Sequence, residues 1–482
     1  MPFGQGRLTR RDLLRGTGAL ALGGGLASGR WSCAAPAVES AAEPLLVGAP
    51  GLFRPTARGC AVQWIPNGPI EARLLAGADP ERLEEVAEAR GATGGVMTWD
   101  GAARGGSAHL RFEARRRTGE PWSPWSLGPV RAGRAPGTSF RVAILADSHI
   151  YRRERGMETN LEATLAAVAR DRPDFVVYLG DEAGVHTTQH PAGSAAEAAA
   201  RWVFWRQRFA PLVGSVPGFL VLGNHVGEAG YYGRGAGQGD SGSLQGWATA
   251  ARRACFANPG PEAYPEGGSP LENYFAWTWG DALFVVLDVH RYTNPGGAPP
   301  ASVEEWTLGA AQLAWLERTL ASSTARWKLV FAHHLVGGSE WDLSASTRRT
   351  VYKYGRGGGR YALVGEQARV TAALRDAGGG AFLYGHDHVF ADQPAEGVRF
   401  LCCGRTTIHT EADRLWWRGP GWAEAYGDVA ARDPYDFWAA IGYVRLEVTP
   451  QRATLQLVRT AESPGDNVTT PLGEVFHEAS LA

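Results

Sequence analysis

Residues 140–149 read FRVAILADSH, an apolar run from Val142 to Ala146 that ends on aspartate, serine and histidine. An uninterrupted run of branched and small apolar residues is typical of a strand that is buried on both faces, as in a parallel sheet. Open α/β folds bind their ligands beyond the carboxyl ends of such strands. The run therefore predicts a buried strand, and Asp147 and His149, which follow it, are candidate site residues.

Five further apolar runs follow, and helical patterns separate several of them. The runs are Phe175–Leu179, Phe219–Leu222, Leu283–Leu287, Leu329–Ala332 and Ala381–Tyr384. The predicted helices are Leu161–Arg170, Leu308–Ala321 and Val364–Ala377. This alternation of strand and helix predicts an α/β sandwich. Residues 443–448 and 453–458, joined by a short turn, predict a β-hairpin after it.

Four more polar motifs stand at or just after the ends of the apolar runs. They are Gly180-Asp181, Gly223-Asn224-His225, Val330-Phe331-Ala332-His333 and Gly385-His386-Asp387-His388. Each motif alone is weak, because a Gly-Asp pair is common and a single histidine is usually a packed or surface residue. Together with the Asp-Ser-His motif at 147–149, the ordered series predicts a metal site.

Carboxylate, amide and imidazole donors in this series suffice for two metal ions, and they admit Fe, Mn, Zn and Co. Asp181 is the expected bridge between the ions. The other expected ligands are Asp147, His149 and His388 for the first ion, and Asn224, His333 and His386 for the second. Two ions held in this way clamp the attacking and leaving oxygens of a phosphoryl transfer. With a bridging hydroxide the centre still keeps a positive charge, which attracts phosphate.

In these motifs the chain resembles the calcineurin-like metallophosphoesterase superfamily, over roughly residues 140–410. The resemblance implies a four-layer α/β/β/α sandwich with two central sheets and a dinuclear centre of divalent or trivalent ions such as Fe, Mn or Zn. It implies that His225 is catalytic, either stabilising the transition state or donating a proton to the leaving group. The expected reaction is hydrolysis of a small phosphate mono- or diester by a dinuclear metal-bound hydroxide.

Two positions depart from the pattern of the family. The family usually follows Gly-Asn-His with an acid, and Val226 stands there instead. The family also often places an acid three residues after the bridging aspartate, and Gly184 stands there. Purple acid phosphatases have a tyrosine ligand at that position. They also omit the histidine of the first motif, so His149 together with Gly184 implies a non-purple site.

The missing carboxylate beside His225 leaves alternatives open. Glu182 or Glu228 either replaces it as the group that orients His225 or is a solvated loop acid. A second hypothesis is that turnover is impaired and the chain is a metal- or phosphate-binding scaffold or a surface module. His334 either contacts substrate or packs locally, and the Gly-rich stretch 354–360 either contacts phosphate or forms a surface loop.

Residues 44–135 predict a β-rich unit ahead of a metallophosphoesterase domain at 138–482. We expect Cys60–Ile65 and His109–Ala114 to be strands whose residues alternate between two faces, one buried and one exposed, with turn residues around them. The segment resembles the fibronectin-like β-sandwich domain at the front of purple acid phosphatases. The five cysteines fit neither a disulfide framework nor a zinc knuckle, and we expect most of them to be buried.

Residues 1–37 have the features of an export signal. Arg10 and Arg11 precede a weakly apolar run at 16–27, and Ala35-Pro36-Ala37 is a small-x-small cleavage pattern. The segment resembles a bacterial twin-arginine signal, which predicts a periplasmic or extracellular protein. A membrane span needs roughly 20 apolar residues, so the run predicts no stable membrane anchor.

Composition restricts the partners of the chain. The 482 residues are 44% hydrophobic and carry a formal charge of −1, and removing residues 1–37, with five Arg and one Asp, leaves a charge of −5. A chain without a general excess of positive charge is not expected to bind nucleic acid. The same patterns leave the substrate, the metal pair and the oligomeric state open.

Overall fold

The computed structural model describes most of the chain from residue 43 onward. The described residues are 43–103, 105–187, 190–228, 243–261, 266–288, 308–334, 366–386, 388–407, 436–462, 466 and 468–481. The predicted signal segment and the Gly-rich stretch 354–360 lie outside these residues.

The larger of two central sheets is mixed. Its nine strands, in spatial order, are β20 (Val475–Leu481), β19 (Ala453–Ala461), β18 (Ile441–Val448), β8 (Phe140–Leu145), β9 (Phe175–Tyr178), β10 (Gly218–Leu220), β1 (Gly51–Phe53), β2 (Cys60–Trp64) and β5 (Gly95–Trp99). Strands β8, β9, β10 and β1 are parallel neighbours. The antiparallel pair β18 and β19 is the predicted hairpin, and it continues the sheet beyond β8.

The smaller central sheet has a parallel middle. Its seven strands, in spatial order, are β11 (Phe275–Trp279), β12 (Ala282–Val286), β13 (Trp327–Phe331), β14 (Gly380–Tyr384), β16 (Val398–Cys403), β15 (Phe390–Ala395) and β17 (Asp436–Trp438). Strands β12, β13, β14 and β16 run parallel, so their carboxyl ends share one edge of the sheet.

Helices cover the outer face of each sheet. They are α1 (Met157–Asp171), α2 (Ala195–Arg208), α3 (Ala210–Val213), α4 (Leu244–Cys255), α5 (Gly309–Ser322) and α6 (Glu366–Asp376), with 3-10 turns at Ile150–Arg152 and Asn224–Val226. Helices α1 to α4 share a core with the larger sheet, whereas α5 and α6 share one with the smaller sheet. A third core lies between the two sheets, and the predicted four-layer sandwich is confirmed.

Strand β8 shows why the apolar runs are uninterrupted. Val142 and Ile144 face the core between the sheets, while Ala143 and Leu145 face the helices. Because successive side chains of a strand point to opposite faces, a strand between two covered faces needs apolar residues at every position. Among the described residues the predicted strands and helices are present, with ends shifted by a few residues; Val364 and Gly365, at the start of the last predicted helix, lie outside them.

The front segment is joined to the larger sheet. Its other strands form a four-stranded sheet in the order β4 (Arg82–Ala92), β3 (Ile70–Asp79), β6 (Ser107–Arg115) and β7 (Ser123–Arg131). This sheet and strands β1, β2 and β5 enclose one apolar core. Strand β1 pairs in parallel with β10 at Phe53 and Gly218, so one side of this sandwich continues into the larger central sheet. The domain boundaries at 44–135 and 138–482 remain predictions.

The alternation expected for Cys60–Ile65 is wrong, because all six residues are buried. Cys60, Val62 and Trp64 belong to the front core. Gln63 faces the other way, and its amide donates to the main-chain oxygen of Arg253 at 2.7 Å. A polar residue in this strand therefore marks a hydrogen bond to a covering segment rather than a solvent-exposed face.

The four cysteines of the described residues are buried, as expected. They are Cys60, Cys255, Cys402 and Cys403, and all four are free thiols. Burial raises the pKa of the Cys255 thiol to about 12, so this side chain acts as a small apolar residue and not as a nucleophile.

Asp174 fastens the end of the front segment to the central sandwich. It is 2% exposed and accepts hydrogen bonds from Arg134 at 2.8 Å, Arg131 at 3.3 Å and Trp279 at 3.2 Å.

We expect Asp174→Asn to lower the free energy of unfolding by roughly 2–4 kcal/mol, because two arginines lose their buried partner. Urea denaturation measures the change, and Asp376→Asn, at an exposed pair with Arg375, should cost less than about 1 kcal/mol. Equal effects of the two variants would contradict this role.

Candidate metal centre

The five sequence motifs meet where the carboxyl ends of parallel strands from the two sheets come together. The first three motifs follow β8, β9 and β10 of the larger sheet, and the last two follow β13 and β14 of the smaller sheet. The main-chain N–H of His386 donates to Oδ2 of Asp147 at 2.8 Å and so links the two sheets. Six of the seven expected ligands are buried, and the side chain of the seventh, His388, is 12% exposed.

One group of donors contains Asp147, His149 and His388. Nε2 of His149 lies 2.8 Å from Nε2 of His388 and 3.6 Å from Oδ1 of Asp147. Nε2 of His388 lies 3.4 Å from the same carboxylate oxygen. These are the three residues predicted to hold the first ion.

A second group contains Asp181, His333 and His386, with Asn224 between the two histidines. Nε2 of His333 lies 3.2 Å from Oδ2 of Asp181 and 3.1 Å from Oδ1 of Asn224. Nδ1 of His386 lies 3.0 Å from the same amide oxygen. This is the donor set predicted for the second ion.

The residues fit a dinuclear metal site. In each group the donor atoms, one per residue, lie within 4.8 Å of one another. A third such group joins Asp181 to His149 and His225, so Asp181 faces both sides of the cluster, as a bridging ligand must. Imidazole, carboxylate and amide donors are the types that Fe, Mn and Zn accept.

The main chain of these ligands is unusual. Among the described residues, ten non-glycine residues have positive φ, and five of them are expected ligands: Asp147, His149, Asp181, His386 and His388. A left-handed conformation costs about 1 kcal/mol or more for such residues and tends to occur at functional sites. The fold therefore holds the donors in position at an energetic cost.

Two glycines let the ligand loops approach one another. A Cβ atom on Gly223 would lie 2.3 Å from Oδ1 of Asp181, and one on Gly385 would lie 2.5 Å from Oδ2 of Asp147. Contacts this short do not occur between real atoms of these types. The glycines next to Asn224 and His386 are therefore needed for the carboxylates to reach their positions.

The carboxylates of the cluster are buried, and burial disfavours their negative charge. Burial opposes ionisation of Asp181, but the charges of His333 and His225 outweigh it and hold the pKa of Asp181 well below its usual value. Burial by itself would lower the pKa of His333, yet Asp181 and Asp147 raise it to about 9. The buried carboxylates thus require positive charge, which imidazole protons supply and bound cations would supply in their place.

His225 is oriented by the main chain. Its Nδ1 lies 2.8 Å from the carbonyl oxygen of His186, and a carbonyl oxygen can only accept, so Nδ1 carries a proton. Its Nε2 lies 3.8 Å from Oδ2 of Asp181 and faces the cluster. Val226, where the family has an acid, is 1% exposed and packs in the core between the larger sheet and its helices.

The two acids considered as substitutes have other partners. Glu182 accepts hydrogen bonds from Ser148 and from Nε1 of Trp205, and burial raises its pKa to about 8. Glu228 is buried against Arg252, with Nη2 at 3.1 Å. Glu182 ties the loop of the first motif to that of the second, and Glu228 anchors the chain after His225.

His334 lies against a predicted ligand. It is 5% exposed, and its ring centre is 3.5 Å from that of His386. This contact favours the packing interpretation, while the predicted contact of His334 with substrate remains a prediction.

Sequence reasoning missed two contributors to the site. The carbonyl of His186 had no signal, because a main-chain hydrogen bond does not depend on residue type. Tyr151 contacts Nδ1 of His149 at 2.6 Å, and its only signal was its position two residues after a predicted ligand.

Comparison with solved structures shows the same fold. The structure of PhoD superimposes with a TM-score of 0.61 at 16% identity and covers 89% of each chain. The structure of purple acid phosphatase PPD1 from yellow lupin (Lupinus luteus) seeds gives a TM-score of 0.59 at 14% identity, over 89% of this chain and 73% of that one. At such identities the likeness concerns the fold alone.

The family assignment comes from the sequence profile. No curated protein matches the chain. The profile described as calcineurin-like phosphoesterase matches residues 140–390, which is more than half of the chain and includes all five motifs. The chain therefore belongs to the calcineurin-like phosphoesterase family.

Proposed function

We propose that this protein is an exported, metal-dependent hydrolase of small phosphate mono- or diesters that uses two metal ions. The observation that carries the proposal is the arrangement of seven residues, five histidines and two aspartates, in three overlapping groups, each with donor atoms within 4.8 Å. The family assignment supports phosphoester chemistry. When bound, the ions would supply a nucleophile at neutral pH and neutralise charge on the phosphate.

The other residues of the site support this reaction. His225 presents Nε2 to the cluster while its Nδ1 is committed to the His186 carbonyl. Donation of a proton from Nε2 therefore uses the doubly protonated ring. Burial lowers the pKa of His225 and so disfavours that cation, and the Asp181 carboxylate at 3.8 Å offsets part of this effect. We assign to His225 the protonation of the leaving oxygen.

The test is an assay of the full chain after metal removal and reconstitution with Mn²⁺, Zn²⁺ or iron. We expect activity toward an aryl phosphomonoester or the corresponding diester to return with about two ions per chain. Metal binding without turnover of either ester would favour the scaffold hypothesis. A chain that binds no metal after reconstitution would contradict the hydrolase and would leave a phosphate-binding scaffold or a surface module in its place.

Export is the second part of the proposal, and it depends on the arginine pair of the signal segment. No helix among the described residues is long and apolar enough to cross a membrane. We expect the double variant Arg10→Lys and Arg11→Lys to leave most of the protein in the cytoplasm, because the pair is the recognised feature of a twin-arginine signal. Cell fractionation measures the distribution. The matched variant Arg7→Lys and Arg15→Lys should be exported normally, and undiminished export of the first variant would contradict the route.

A further inference from the structure

The turn after His149 brings Tyr151 back onto the His149 ring. Ile150–Arg152 form one 3-10 turn that begins at the left-handed His149, and Ile150 is fully buried beneath it. The Tyr151 hydroxyl lies 2.6 Å from Nδ1 of His149. The other ring nitrogen, Nε2, faces His388 at 2.8 Å. The hydroxyl therefore contacts the nitrogen that points away from the metal donors.

A glycine provides the space for the tyrosine ring. A Cβ atom on Gly184 would lie 2.3 Å from carbon atoms of the Tyr151 ring, and Gly184 has φ +57°. Arg201 fixes the loop at this point, since its Nη1 donates to the carbonyl oxygens of Gly184 at 2.6 Å and His190 at 2.8 Å. Any side chain at position 184 would displace the Tyr151 ring.

We propose that Tyr151 is a positioning residue of the metal centre, an inference that rests on the proposed function. A metal ion on Nε2 requires the proton of His149 to be on Nδ1, where it donates to the tyrosine oxygen. The hydroxyl oxygen can accept this hydrogen bond, which fixes the rotation of the His149 ring in the tautomer that leaves Nε2 free for the ion. The Tyr151 ring also lies 5.5 Å from that of His149 and 6.0 Å from that of His225, so it restrains both imidazoles.

The variant Tyr151→Phe tests the role, because it keeps the ring over Gly184 and removes only the hydroxyl. We expect the dissociation constant of the ion held by Asp147, His149 and His388 to rise about 10- to 100-fold, the usual effect of losing such a partner. The other ion should change by less than about threefold. Calorimetric titration with Co²⁺ measures both. The Asn224→Ala background reports the first ion and the His388→Ala background reports the second.

Two further variants make the comparison specific. Tyr443→Phe removes another tyrosine hydroxyl, one that donates to Asp171 away from the site, and should leave both affinities unchanged. Gly184→Ala displaces the Tyr151 ring and should weaken the same ion as Tyr151→Phe. Thermal unfolding of each variant shows that the fold is retained.

The outcomes separate this inference from the proposed function. Wild-type protein that binds no metal would overturn both. Wild-type protein that binds two ions, with unchanged affinities in Tyr151→Phe, would overturn the role of Tyr151 alone. A phenolate-to-iron absorption band in the Fe³⁺-loaded protein that disappears in Tyr151→Phe would make Tyr151 a metal ligand and would also overturn the positioning role.

Discussion

Asp181→Asn should bind fewer than one metal ion per chain and lower kcat by roughly 10³- to 10⁵-fold. Asp181 belongs to two of the three donor groups, so one substitution removes a negative charge from both sites. The ions contribute several kcal/mol of transition-state stabilisation, which corresponds to a loss of this size. Elemental analysis after reconstitution measures the metal content, and steady-state kinetics measures kcat.

The control for this variant is Asp376→Asn, which removes an exposed carboxylate of α6 from its pair with Arg375. It should bind two ions and keep the wild-type rate. Two ions per chain at wild-type affinity in Asp181→Asn would refute the bridging role. Thermal unfolding without added metal distinguishes a lost ligand from a lost fold.

His225→Ala should lower kcat for an alkyl phosphate by roughly 10²- to 10⁴-fold, the usual contribution of a positioned acid, with little change in metal content. The loss should be small for a nitrophenyl ester, because a nitrophenolate leaves without a proton. It should be large for an alkyl phosphate, whose leaving oxygen needs one. The ratio of wild-type to variant kcat on the two esters is therefore the informative quantity.

His109→Ala is the matched control, since His109 lies on β6 in the four-stranded sheet. It should leave both rates unchanged. If His225→Ala hydrolyses both esters at the wild-type rate, His225 has no part in the reaction. If wild-type protein loaded with two ions hydrolyses neither ester, the scaffold hypothesis replaces the hydrolase hypothesis.

Much of the central fold was predictable because each buried strand follows a local rule. Val142–Ala146 is apolar at every position because β8 lies between two cores, and the runs that became β9, β12, β13 and β14 have the same cause. Adjacent parallel strands of one sheet also bring the residues that follow their carboxyl ends close together. The order of the motifs was therefore enough to place Asp147 near Asp181, after neighbouring strands. His333 follows a strand of the other sheet, and the packing of the two sheets brings it to Asp181.

The front segment was less predictable. A sequence pattern indicates which faces of a strand are apolar, but it does not indicate which other strand pairs with it. The pairing of Phe53 with Gly218 joins β1 to the larger sheet, and it depends on main-chain groups that nearly every residue has. The same limit explains Cys60–Trp64, where a covering segment buries the face that carries Gln63.

By itself, the sequence determined the chemistry of this protein: the donor types, their order along the chain and the apolar strands that present them, because these are properties of residue type and spacing. Only the tertiary structure decided how the donors are held. The carbonyl of His186 orients His225, Arg252 engages Glu228, and Tyr151 lies on His149 over Gly184. These contacts join segments through main-chain atoms, buried charges and the shape of a gap, and none of these leaves a periodic pattern in the sequence.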